Sequence, residues 1–237
     1  MFWGAHKHYY IGSFDGKRFH KESPELTLGQ TGNYYAAQTF NDIPPSDGRR
    51  IQISWVRPSE FFPLPGMPFN NFLSFPSELT LRDTPGGVRL HCEPVREIQL
   101  LHDAEHTWKD MDLEPEVENL LREISGDLFH ITIDARPDGA VSIELSIRGV
   151  QVRYDFDKAS LTVRETVISC ESNSDDLFLE ILVDRMSIET FVNHGQTLLP
   201  ICVIPDQNNA TLDLKALGGR LAVRSLEVFE LTSAWPI

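Results

Sequence analysis

The chain has 237 residues, 41 % of them hydrophobic, enough for one large β domain or two smaller ones with a buried core, and too apolar for a disordered polymer. Its 35 acidic residues against 21 Lys and Arg give a formal net charge of −14 and a pI of about 4.9, which excludes a nucleic-acid backbone as partner, since that surface selects for basic stripes. No apolar run approaches the ~18 residues of a membrane span, and no leader pattern is visible at Met1, which leaves the compartment open because the chain reads as starting inside a sheet.

In chain order the first predicted elements are short strands. An aromatic run enters "YYIGSF" (9–14), and "DG" then supplies a tight hairpin turn. "YYAAQTF" (34–40), "RRIQISWV" (49–56), "SELTLR" (77–82) and "GVRLHCEPV" (87–95) follow, separated by "NDIPPSDG", a Pro/Gly/Phe-rich loop at 57–76 and "DTPGG". Ile51, Ile53 and Trp55 alternate as one face of a strand. The pattern changes at 104–124. There Val117, Leu120, Leu121 and Ile124 recur at i, i+3, i+4 and i+7, with Pro115 in the first turn, which predicts a short amphipathic helix in a linker. Strands then resume, from "DLFHITIDA" (127–135) and "AVSIELSIRG" (140–149) to "LFLEILVDR" (177–185), "SIETFVN" (187–193) and "LAVRSLEVFELTSAW" (221–235). Their strict alternation predicts two packed antiparallel sheets, each with one buried face.

The residues that could carry metal or thiol chemistry are scattered. Cys92, Cys170 and Cys202 are odd in number and far apart, so they read as core thiols and not as a disulfide or metal framework. His6 with His8, and His102 with His106, could each share a face, but neither pair has a third ligand nearby, so no metal is expected. "NAT" at 209–211 fits a glycosylation acceptor, a pattern short enough to occur by chance.

The segments "YYIGSFDGKRF", "GNYYAAQTFND", "RRIQISWV", "PGMPFNNFLSFPSELTLR" and "RLHCEPVREI" resemble, in order, the last third of the catalytic domain of glycoside hydrolase family 32. "LVDRMSIETFVNHGQ" and "RSLEVFELTSAW" resemble that family's C-terminal β-sandwich, including its terminal Ser-x-Trp. The resemblance covers essentially the whole chain. It implies an all-β fold, part of a five-bladed β-propeller followed by a β-sandwich. Residues 1–103 would be the end of blade four and blade five, 104–124 a linker with a short helix, and 125–237 the sandwich. It also implies that the chain is the C-terminal portion of a longer retaining glycosidase that cuts β-fructofuranosyl bonds. The implied partners are a fructose-containing oligo- or polysaccharide and the missing N-terminal propeller portion. No cofactor, nucleic acid or membrane is implied.

Retaining glycoside hydrolysis uses two carboxyl groups about 5–5.5 Å apart, a nucleophile and an acid/base. In the resembled family these come from W-M-N-D-P-N-G and E-C motifs, with a stabilising Asp in R-D-P, and none of the three occurs in this chain. Arg82-Asp83 in "LRDTPGG" echoes R-D-P, but Thr84 replaces its Pro and the stretch is turn chemistry. Cys92-Glu93 reverses E-C inside a strand. No catalytic residue is therefore assigned, and the chain alone is expected to be inactive. What the resemblance leaves is pocket wall. Trp55 matches the Trp that lines the fructosyl pocket, where an indole face suits the apolar side of a furanose. Asn33, Tyr34 and Tyr35 lie where the family often has D-Y-G-x-D-x-Y-A, with both acidic positions lost here, and are the further substrate-binding candidates. Glu78 matches a common family Glu for which a structural ion pair is at least as good a reading.

Two other readings compete. The sandwich could be a non-catalytic carbohydrate-binding module, although 125–237 shows no row of exposed aromatics. The chain could also be a relic, in which an incomplete propeller leaves open sheet edges and an uncovered apolar face.

Overall fold

The computed structural model describes residues 1–4, 8–28, 33–57, 71–171, 175–206 and 208–234; His6, the start of the "PGMPFNNF" stretch and Trp235 lie outside them. The fold is all-β, as expected. The N-terminal stretch supplies β1 (Phe2–Trp3), β2 (His8–Tyr10), β3 (Gly12–Phe14), β4 (Phe19–Lys21) and β5 (Leu26–Thr27). These form a three-stranded sheet of order β1-β2-β5 and a β3-β4 hairpin, so "YYIGSF" is two strands and not one. Next come β6 (Tyr34–Thr39), β7 (Ile51–Val56), β8 (Phe72–Leu73), β9 (Ser77–Thr84) and β10 (Gly87–Pro94), in the order β10-β9-β7-β6 with β8 also paired to β7. The "DTPGG" turn closes β9 onto β10: the Thr84 hydroxyl donates to Gly87 O at 2.7 Å and accepts from Gly86 N–H at 3.2 Å.

A 3-10 helix at Arg96–Leu101 leads into β11 (His102–Leu113). This is the first correction to the sequence reading. The first part of the linker expected over 104–124 is strand: β11 pairs with the last strand from His102↔Leu231 to Leu113↔Leu221. The amphipathic helix expected around 115–124 is likewise absent, and the segment runs as turns. Asn119 is the physical reason. Its Nδ2 donates to Leu212 O at 2.7 Å, and its Oδ1 accepts from Leu121 N–H at 3.0 Å and Leu214 N–H at 3.3 Å. A side chain that satisfies backbone groups in this way competes with helix formation. Leu121 and Ile124 are still buried, so the apolar spacing marked the buried residues but not the backbone.

The remaining strands are β12 (Phe129–Asp138), β13 (Ser142–Ile147), β14 (Val150–Asp155), β15 (Ser160–Val163) and β16 (Thr166–Ser169). They continue as β17 (Leu177–Val183), β18 (Ser187–Val192), β19 (Thr197–Cys202), β20 (Leu212–Leu217) and β21 (Arg220–Leu231). Two sheets result, β11-β21-β12-β17-β18-β19 and β16-β15-β14-β13-β20. They face each other across a core that includes Ile131, Ile133, Leu145, Leu161, Leu214 and Val228. Alternate residues supply it, as a two-residue strand period requires. Each such buried side chain is worth about 1.5–3 kcal/mol.

A second core joins the two parts of the chain. Tyr9, Leu28, Leu79, Leu90 and Cys92 from the first sheets pack with Leu182, Phe191 and Leu198 from the six-stranded sheet. Every residue of β18 and β19 is consequently buried, because one face meets the sandwich core and the other meets the first sheets. The β18–β19 turn is pressed onto β10, where Cys92 N–H donates to Gly195 O at 2.9 Å. Gly195 has φ +71°, and a Cβ there would stand 1.9 Å from Cys92 O, so only glycine fits.

Candidate functional site

The strand β7 alternates as its sequence predicts. Gln52, Ser54 and Val56 are buried, while Ile51, Ile53 and Trp55 are half-buried at the alternate positions. Trp55 pairs across the ladder with Tyr35 and with Leu73. Its indole Nε1–H donates to Asn71 Oδ1 at 3.0 Å. The Tyr35 and Trp55 rings lie 6.1 Å apart at 62°, and the Arg57 guanidinium carbon sits 5.5 Å from the Tyr35 ring centre and 5.8 Å from that of Trp55. Arg57 and Asn71 are exposed, so this group of two aromatics, one cation and one amide opens to solvent. It offers an apolar face, hydrogen-bonding groups and a positive charge, a combination suited to a neutral polyol ring.

The four sequence candidates divide. Trp55 and Tyr35 come together. Asn33 acts on the backbone beside them: its Nδ2 donates to Arg57 O at 2.8 Å, and Arg57 N–H donates to Asn33 O at 2.7 Å. That pairing fixes the end of β7, from which Arg57 projects. Tyr34 points the other way, as period-two alternation requires. It is buried in the second core, its hydroxyl accepts from Gln52 Nε2, and burial holds its pKa well above the phenolic range. It does not join the Trp55 group. Arg57 and Asn71 were missed by sequence reading. The signal for Asn71 was the need of a half-buried indole N–H for an acceptor.

The echoes of catalytic motifs take structural places. Arg82 pairs with Glu93 across β9 and β10, and His194 Nδ1 lies 3.4 Å from the same carboxylate. Glu78 is half-buried and directly opposite Glu93 in the ladder. His102 and His106 have separate partners: His102 Nε2 is 3.0 Å from His130 Nδ1, and His106 Nε2 is 3.0 Å from Glu230 Oε1. The three cysteines are buried free thiols, and burial pushes Cys92 and Cys202 up to about 12 and Cys170 to about 11. A cleft of about 340 Å³ between the first sheets and the sandwich is lined by Tyr9, Glu25, Arg89, Glu171, Gln196 and Thr197. Glu171 takes up both Arg89, at 3.0 Å, and Gln196, at 3.1 Å, which closes one side of it.

Comparison with known proteins bears on this geometry. A family model described as "Glycosyl hydrolases family 32 N-terminal domain" matches residues 3–94, and "Glycosyl hydrolases family 32 C terminal" matches residues 97–230. A levanase of Bacillus subtilis (strain 168) is 29% identical over 260 residues, covering 98% of this chain and 38% of that protein. An extracellular exo-inulinase of Aspergillus awamori is 20% identical over 98% of this chain and 49% of its own length. The chain therefore spans half or less of the length of these relatives. Among solved structures, exo-inulinase from Aspergillus awamori superposes with a TM-score of 0.82 at 19% identity, covering 96% of this chain and 50% of that one. A β-fructofuranosidase from Schwanniomyces occidentalis, complexed with fructosyl-erythritol, gives 0.71 at 13% identity over 95% of this chain and 53% of its own. These likenesses carry the fold, a β-propeller portion followed by a β-sandwich, and the C-terminal family model alone spans more than half of the 237 residues. On those matches the chain belongs to glycosyl hydrolase family 32.

Proposed function

We propose that this chain is the C-terminal part of a retaining glycoside hydrolase acting on β-fructofuranosyl bonds, and that the Trp55, Tyr35, Arg57 and Asn71 group forms one wall of its fructosyl site. The convergence of these four side chains at the open end of β7 carries the reading. Relatives named levanase and exo-inulinase, and a related structure holding fructosyl-erythritol, favour a fructose-containing oligo- or polysaccharide as substrate. Two units belong to the same reading, with β11 assigned to the second. The carboxylate motifs of the family are not among these 237 residues, so nothing here protonates the leaving oxygen or captures the oxocarbenium-like centre. The chain by itself is then inactive and depends on a polypeptide that carries the rest of the propeller.

Fructose release tests this. The purified chain releases none from sucrose, levan or inulin. Co-expression with the N-terminal part of a family relative restores release, and Trp55→Ala lowers the restored kcat/KM by at least about tenfold. Fructose release by the chain alone, or a Trp55→Ala variant as active as its parent, overturns the proposal.

A further inference from the structure

Glu189 is a charged residue type in the middle of β18, 1% exposed, on the strand face that meets the first sheets. Its neighbours across the ladder are Leu182 and Pro200, and Phe191 follows it on the same face. The carboxyl reaches out of the sandwich: Oε1 accepts from the Phe75 backbone N–H at 3.0 Å. Oε2 is buried with no hydrogen-bond partner among the described residues. A buried, unpaired carboxylate is costly, whereas the neutral acid is tolerated. Phe75 belongs to a short tether. Ser74 N–H donates to Ser54 O at 2.8 Å, Ser54 N–H donates to Ser74 Oγ at 3.0 Å, Leu73 pairs with Trp55, and Asn71 holds the Trp55 indole.

We propose that Glu189 is a positioning residue: its buried carboxyl fixes the 71–75 segment through the Phe75 backbone N–H, and through that segment the Trp55 indole. The sandwich thereby supplies a part of the wall it does not itself form. The inference rests on the fructosyl-site reading only for its consequence in catalysis. Burial pushes the Glu189 carboxyl up to about 8 against the Phe75 hydrogen bond, which favours the charged form, and the negative charge of Asp184 adds to the upward shift. The other titratable groups beside it are Tyr34 on β6, Cys92 on β10 and Cys202 on β19. All three are held well above their usual ranges, chiefly by burial, so none of them offers Glu189 a counter-charge.

The test needs no sugar. In the full chain labelled with 15N, the Trp55 indole N–H resonance is identified by its loss in Trp55→Phe and compared, together with the Phe75 amide, between the wild type, Glu189→Gln and Glu189→Leu at one pH. Both resonances are expected to move in Glu189→Leu, which removes the acceptor for Phe75, and to keep their wild-type positions in Glu189→Gln, which retains one. A Trp55 resonance that does not move in Glu189→Leu, or one that moves equally in Glu189→Gln, overturns the proposal. Failure to bind or cleave fructosyl compounds would instead overturn only the site reading.

Discussion

At the scale of single residues, a glycine and an aromatic show what sequence could and could not announce. Gly195 sits in the left-handed region with its backbone against Cys92. Gly195→Ala adds a conformational cost of about 1–2 kcal/mol to a direct overlap with the β10 carbonyl. Urea unfolding is expected to show a loss of at least that size, and an unchanged midpoint would mean that the turn can lift off β10. "NHG" announced the turn but not what it touches. The half-buried strand position of Trp55 was legible from the alternation of Ile51, Ile53 and Trp55, while its ring contact with Tyr35 was not. Tyr34 was misread because two adjacent tyrosines on a strand must face opposite ways. Ala36, with φ 52°, shifts the register of β6 against β7 between Tyr35 and Gln38, which no reading of "YYAAQTF" foretold.

At the scale of elements, most strands of the sandwich were legible to within a few residues, because Ile, Val and Leu alternate in "SIELSI" and "LEILVD", although β16 was not foreseen. β11 was not. Its twelve residues include His102, Asp103, Glu105, Lys109, Asp110 and Asp112, poor strand formers that pairing with β21 holds in place. Asp110, at φ 49°, adds a local kink. Leu113 at the end of β11 lies in the sandwich core, and the half-buried Trp108 and Met111 pack against it. The turn that follows depends on one amide. Asn119→Ala leaves Leu214 N–H and Leu212 O without that partner, and at about 1–3 kcal/mol for stranded buried groups the melting temperature falls by several degrees. Asn119→Asp keeps the acceptor and loses only the donor, so it should fall between the two. Equal melting of all three proteins would remove Asn119 as the cause of the missing helix.

At the scale of the whole molecule, acid and alkali act on different places. Asp47 and Glu97 are held down to about 2 by the Arg49 guanidinium, which donates to both, at 2.7 Å in each case. Their contribution is present above the ordinary carboxylate range and is lost as pH falls through about 2. Glu189 has the opposite sign. In the unfolded chain it ionises near 4.5 and in the folded one at about 8, so its effect on stability is full at low pH and is lost as pH rises through about 8. Chemical denaturation at pH 6 and pH 9 should find the chain weaker at pH 9, with Glu189→Gln removing most of the difference. Equal weakening of both proteins would assign the alkaline loss elsewhere.

The burial of β18 and β19 on both faces has a consequence for anyone who would cut or recombine this chain. A sandwich expressed from 125 onward would leave Leu182, Phe191 and Leu198 facing water, with an unpaired acid among them, and would also lack β11 along the open side of β21. It would associate with itself before it behaved as a portable module. A chimera that exchanges C-terminal halves between relatives must therefore carry the Gly195 turn, the 74–77 segment and the β10 backbone as one inseparable unit, because the seam between the halves is itself a core.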